Sequence, residues 1–165
     1  MTTRGAMTLA GSLGAIWALG VVWVGATQIN LPIFSLTPVL LVGFLGPGLF
    51  LALMILLMAV RRYMSQELHD GRAVHPGNKA DVDAKVLQNT IEQTVLALCL
   101  WPAIGFLAAD DGPGLIAALA VSFPLSRLAY WTGCRISPLL RMVGFSATFY
   151  ATLFALVWAF GIWFV

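Results

Sequence analysis

Five separate runs of the chain, at about 7–26, 37–60, 86–109, 114–134 and 138–165, are each close to twenty mostly apolar residues long. That is the length at which an α-helix crosses the ~30 Å hydrocarbon core of a bilayer. Backbone polar groups find no water there, so runs of this kind fold as helices whose hydrogen bonds close within each segment. Composition agrees: 60% of the 165 residues are hydrophobic and 10% charged, against about 25% charged in a soluble domain. The expectation is an all-α integral membrane protein with little chain left for a soluble domain.

The net charge of +2 matters less than where the charges sit. Arg4, Arg61, Arg62, Arg72, Lys79, Lys85, Arg127, Arg135 and Arg141 all map to one side of a five-span topology. The positive-inside rule then puts the N-terminus, the 61–85 connection and the 127–141 return in the cytoplasm. The uncharged 27–36 connection, the DDGPG turn at 110–114 and the C-terminus lie outside. Short connections and a compact chain suggest a bacterial inner membrane. An alternative reading makes the segment before Ala26 a cleavable signal peptide. Its apolar run is longer than a signal core and Arg4 is a thin charged region, which favours a retained span. Cys99 and Cys134 should lie at different depths, which argues against a disulfide.

The 61–85 connection is the one long polar segment, with a turn expected at HPGN, 75–78. His69 and His75 have no third ligand at a recognised spacing, so no metal is expected. In GFLGPG at 43–48, Pro47 is expected to kink the second span or sit in its first turn. Ser137 and Pro138 read as an N-cap and first helical residue of the last span, with GCRI as a tight connection before it.

The third run begins anomalously. At 100° per residue, Asp81, Lys85, Gln88, Asn89 and Glu92 fall at about −40°, 0°, −60°, +40° and −20°, a single stripe, with Gln93 on its shoulder. A charged group facing lipid costs at least ~2.5 kcal/mol on insertion scales. Polar contacts between helices explain any one of these residues. Five at one depth point to a water-accessible polar site at the cytoplasmic leaflet. On the fourth run, Arg127, Tyr130 and Cys134 share a side at i, i+3 and i+7. Arg127 is deep and calls for a carboxylate partner, for which Glu92 is the candidate. Arg135 reads as snorkelling to lipid phosphates. Cations, one carboxylate, amides and a phenol suit an anionic, peptide-like ligand. No Ser/His/Asp triad, metal cluster or phosphate loop is visible.

These residues resemble a known family, the membrane-associated proteins in eicosanoid and glutathione metabolism (MAPEG), over roughly 38–165. The pattern of a base, three residues, Asn, two residues and Glu appears as KVLQNTIE, supported by AVRRYM and RLAYWTGCRISPLLRMVG. The resemblance implies a MAPEG-like four-helix bundle over 37–165, plus an extra N-terminal transmembrane helix and outer connection over 1–36. It implies a homotrimer with glutathione as co-substrate, bound between subunits, and no metal. Carried over by position, Lys85, Asn89, Glu92 and Tyr130 would hold glutathione together with Arg127. Arg61 or Arg62 would reach it from the neighbouring subunit, and Arg141 would stabilise the thiolate. The chain departs from the family in having Lys85 for an arginine, and Gln93 and Cys134 where leukotriene synthases have tyrosines.

The function this implies is a glutathione-dependent membrane transferase, with peroxidase activity a further option, conjugating hydrophobic electrophiles from the bilayer. Its partners are membrane lipid and a hydrophobic small-molecule substrate; nucleic acid is not among them. The alternative is a non-catalytic trimeric scaffold or small-ligand binder that keeps the polar stripe for assembly. A transporter is disfavoured, because no inverted repeat or pair of interrupted helices is present. The first span has no counterpart in four-helix members and would pack around the trimer's rim.

Overall fold

The computed structural model describes residues 3–64 and 78–164, apart from the side chains of Thr3 and Arg4. The expectations for His69, His75, Arg72 and the start of the HPGN turn lie outside the described residues. Among the described residues there are six α-helices: α1 (Thr3–Thr27), α2 (Leu36–Gly43), α3 (Leu45–Met64), α4 (Lys79–Leu107), α5 (Gly112–Ile136) and α6 (Pro138–Trp163). With α2 and α3 counted as one, they supply five segments long and apolar enough to span a membrane. There is no strand among the described residues.

The break between α2 and α3 falls at Phe44, three residues before Pro47. Pro47 has no N–H to donate to the Gly43 carbonyl, so the α-helical ladder lapses there and resumes when Gly48 N bonds Phe44 O at 2.9 Å. Pro47 thus sits in the first turn of α3, one of the two positions its sequence context allowed.

Helix α4 starts a full two turns before the apolar run. Asn78 is its extended N-cap residue, and Asp81 lies in its first turn, where a negative charge opposes the helix dipole. The polar stripe is therefore helical throughout. At the other end, α5 continues to Ile136, so the expected GCRI connection shrinks to Ser137 alone. Ser137 has the extended N-cap backbone (φ −152°, ψ 124°), but its hydroxyl makes no cap bond.

Packing follows the alternation of up and down spans. Helix α1 runs parallel to α6, with the Ser146 hydroxyl donating to Ala10 O at 3.1 Å. It runs antiparallel to α5, where Trp17 Nε1 donates to Ser122 Oγ at 2.9 Å and Gly25 abuts Leu115. The first span is thus built into its own chain's bundle through α5 and α6, and Ala18 and Val22 join the main core. Trp101 lies at the centre of that core, stacked on Phe44 (5.6 Å) and edge-on to Phe123 (6.1 Å). Around it, Ala97, Ala151, Ala155 and Ala159 are buried. Without a hydrophobic drive between helices in lipid, small residues of this kind gain their stability from close backbone approach.

Helices α5 and α6 approach one another closely. A Cβ on Gly144 would lie 2.3 Å from Tyr130 N and 2.8 Å from Ser126 O, backbone atoms that cannot move aside. Gly144→Ala should therefore destabilise the fold by about 1–3 kcal/mol. Gly20→Ala, at a position with nothing within 4 Å, should not. Thermal unfolding in detergent checks this, and equal midpoints for the two variants would refute the close α5–α6 contact.

Candidate polar site between three helices

On the outward face of α4, three polar side chains are tied together. Gln88 Nε2 donates to Glu92 Oε1 at 3.1 Å, and Asn89 Nδ2 lies 3.4 Å from Glu92 Oε2. Lys85 pairs with Asp81 one turn earlier at 2.7 Å. These contacts follow from i, i+3 and i+4 spacing on one helix face, so the stripe exists as the periodicity implied. Gln93, on the shoulder of the stripe, is buried in the bundle.

Asn89 links the stripe to the interior. Its Oδ1 accepts from Arg127 Nη1 at 2.6 Å. Arg127 has no exposed surface. Its Nε and Nη2 donate to Thr148 Oγ1 at 3.1 and 2.8 Å, and Nη2 also reaches Gly144 O at 3.1 Å. The guanidinium lies 4.8 Å from the centre of the Tyr130 ring. The direct Glu92 partner expected for Arg127 is thus corrected. Asn89 stands three residues earlier on α4 and meets the guanidinium, leaving the Glu92 carboxylate on the exposed face, one amide away.

In front of this network lies a cavity of about 430 Å³ that collects Asn89 from α4, Tyr130 from α5 and Arg141 from α6. Three of the eight expected site residues therefore line one space. Arg127 lies behind it and holds two of the three, Asn89 by a hydrogen bond and Tyr130 by stacking. Glu92 is attached through Asn89, while Lys85 and Arg62 face outward from the chain. A larger groove of about 660 Å³ between α1 and α6, lined by residues such as Leu19, Phe154 and Val157, carries no titratable side chain and offers no polar chemistry. Among the described residues, no three candidate metal ligands cluster.

Sequence reasoning missed Asp83, whose side chain is wholly buried on the face of α4 opposite the stripe. Its Oδ1 accepts from Arg135 Nη2 at 2.5 Å and Trp131 Nε1 at 2.9 Å. Arg61 Nε lies 2.6 Å from Oδ2, a charge contact whose N–H is not aimed along the hydrogen-bond direction. Arg135 also stacks over Trp131, 4.6 Å from the ring centre. Arg135 is therefore bound to a protein carboxylate, in place of the lipid phosphate expected for it, and Arg61 is tied within its own chain. The available signal was Asp83's spacing with Val86 and Thr90, at i+3 and i+7, on the face opposite the stripe.

A model of the MAPEG family matches residues 36–161. The match begins at α2, takes in all three helices of the polar site and leaves α1 outside. No curated protein and no solved structure matches the chain.

Asp83→Asn would leave Arg61 and Arg135 facing an uncharged amide. Breaking a buried ion pair costs about 3–5 kcal/mol, and the partial exposure of both arginines places this case near ~3 kcal/mol or below. Chemical unfolding in detergent should show that loss. A variant as stable as the parent would mean that the α3–α4–α5 junction does not depend on the carboxylate.

Proposed function

This chain belongs to the MAPEG family, and we propose that it is a glutathione-dependent membrane transferase, with peroxidase activity open to the same thiol, acting on hydrophobic electrophiles. The observation that carries the reading is the convergence of Arg141, Tyr130 and Asn89 on one cavity. In this reading Arg141 faces the sulfur, Asn89 and Tyr130 hydrogen-bond the tripeptide, and Glu92 takes its ammonium. Arg127 orients Asn89 and Tyr130 from behind. The thiol gives its proton to solvent, the thiolate attacks the electrophilic carbon, and the C–S bond forms as the leaving group departs with its electron pair.

Magnitudes decide where the rate comes from. If Arg141 lowered a bound thiol's pKa from ~8.5 to ~6.5, thiolate at pH 7 would rise from roughly 3% to roughly 75%. Lower basicity removes about 8-fold of that gain through a Brønsted slope of ~0.4–0.5, leaving about threefold. Most of the acceleration must then come from holding the thiolate beside a lipid-dissolved electrophile.

We further propose a homotrimer, with the site at the cytoplasmic leaflet of a bacterial inner membrane. The exposure of Lys85, Gln88 and Glu92 on a spanning helix supports assembly, because such groups facing lipid are costly and another copy would cover them. Arg62, exposed at the end of α3, is free of the Asp83 contact that holds Arg61, which makes it the better placed of the pair to reach a neighbour's ligand.

Glutathione binding by calorimetry and conjugation of 1-chloro-2,4-dinitrobenzene test the reading on purified protein of established oligomeric state. Arg141→Ala should lower kcat/KM about 10- to 100-fold, or ~1.4–2.7 kcal/mol. A well-folded wild-type trimer that neither binds glutathione nor conjugates would overturn the transferase, and would favour the scaffold whose polar face serves assembly.

A further inference from the structure

Residues 1–35 lie outside the family match, yet α1 reaches the polar cavity. Met7, Ala10 and Gly11 line it together with Asn89, Tyr130 and Arg141. They stand at i, i+3 and i+4, one helical face, and the same face continues to Gly14. The two glycines on it differ in surroundings. A Cβ on Gly14 would fall within 3 Å of Ser146 Oγ and of Ala147 N, so α1 and α6 touch there. A Cβ on Gly11 would meet the Tyr150 hydroxyl alone, at 3.9 Å. The Ser146 hydroxyl also donates to Ala10 O, next to Gly11, so α1 and α6 stay in contact along this stretch. Gly11 itself has open space beside it, and the cavity occupies that space.

We infer that α1 is the size-selecting wall of the site, with Gly11 the position that sets how bulky an apolar group the site admits. The polar side is Asn89, Tyr130 and Arg141; the apolar side is Met7 on α1 facing Met142 and Phe145 on α6. An amphiphilic ligand fits this division, its anionic part at Arg141 and its apolar part against α1. The identity of the polar part rests on the thiol-transfer reading, whereas the wall does not.

The test uses the full chain in detergent with Cys99 and Cys134 replaced by serine and Arg141→Cys as a reporter thiol. Its rate of modification is measured with methyl methanethiosulfonate and with a benzophenone-bearing methanethiosulfonate. Gly11→Leu should slow the bulky reagent at least 10-fold relative to the small one, and Gly20→Leu, on α1 but remote from the cavity, should leave the ratio unchanged. Equal ratios in all three proteins overturn the wall. With Arg141 intact, Gly11→Leu should lower kcat/KM for a bulky aryl electrophile at least fivefold relative to 1-chloro-2,4-dinitrobenzene. An equal fall for both electrophiles would overturn size selection. If the wild type does not bind glutathione, the transferase reading fails, and the labelling ratio still decides the wall.

Discussion

A guanidinium with no exposed surface, inside a helix that crosses the bilayer, is the constraint around which this structure is arranged. Each unmet donor of Arg127 in hydrocarbon would cost several kcal/mol, so its acceptors must be in place. They come from two other helices, Asn89 on α4 and Thr148 with the Gly144 carbonyl on α6. A one-residue slip of α6 would rotate Thr148 away by about 100° and orphan two of those bonds. The absence of a side chain at Gly144 is what lets the α6 backbone come within reach. The register that satisfies Arg127 is also the register that brings Asn89, Tyr130 and Arg141 to one cavity, so the stability of the junction and the geometry of the site have a single cause.

Asp83 performs the complementary task on the other face of α4. It gathers cations from α3 and α5 and the Trp131 indole, and so joins three helices where the chain is most charged. The two nodes differ in kind. Arg127 is a buried cation met by neutral dipoles, which compensate its charge only partly. Asp83 is a buried carboxylate met by two half-exposed cations, whose charges solvent can still screen. Helix α4 carries both nodes, one on each side, and its outward stripe is positioned by them.

Much of this was legible from residue spacing. The apolar runs located every span, and the α4 stripe emerged on one face because helical periodicity is local. Pro47 and Ser137 marked their boundaries for backbone reasons that operate wherever those residues stand. Partner choice was not legible. Glu92 was the natural counter-charge for Arg127 on grounds of charge and depth, yet Asn89 takes the contact at 2.6 Å, because the rotation of α4 turns Asn89 toward the guanidinium and leaves Glu92 on the exposed face. Arg135 looked like a lipid anchor because Asp83, 52 residues away in the chain, lay in what read as the polar 61–85 connection.

By itself, then, the sequence determined that the chain forms spanning helices, where they begin and end to within a turn or two, and which polar residues share a face. Hydrocarbon length and helical pitch are properties of single segments, so no neighbour is needed to specify them. The tertiary structure alone decided that Arg127 binds Asn89 and Thr148, that Arg61 and Arg135 close on Asp83, and that α1 lines the cavity beside Arg141. Each of these depends on how closely two helices approach and at what rotation. That is settled by the close contacts at Gly14 and Gly144 together with the packing around Trp101, and not by any one segment.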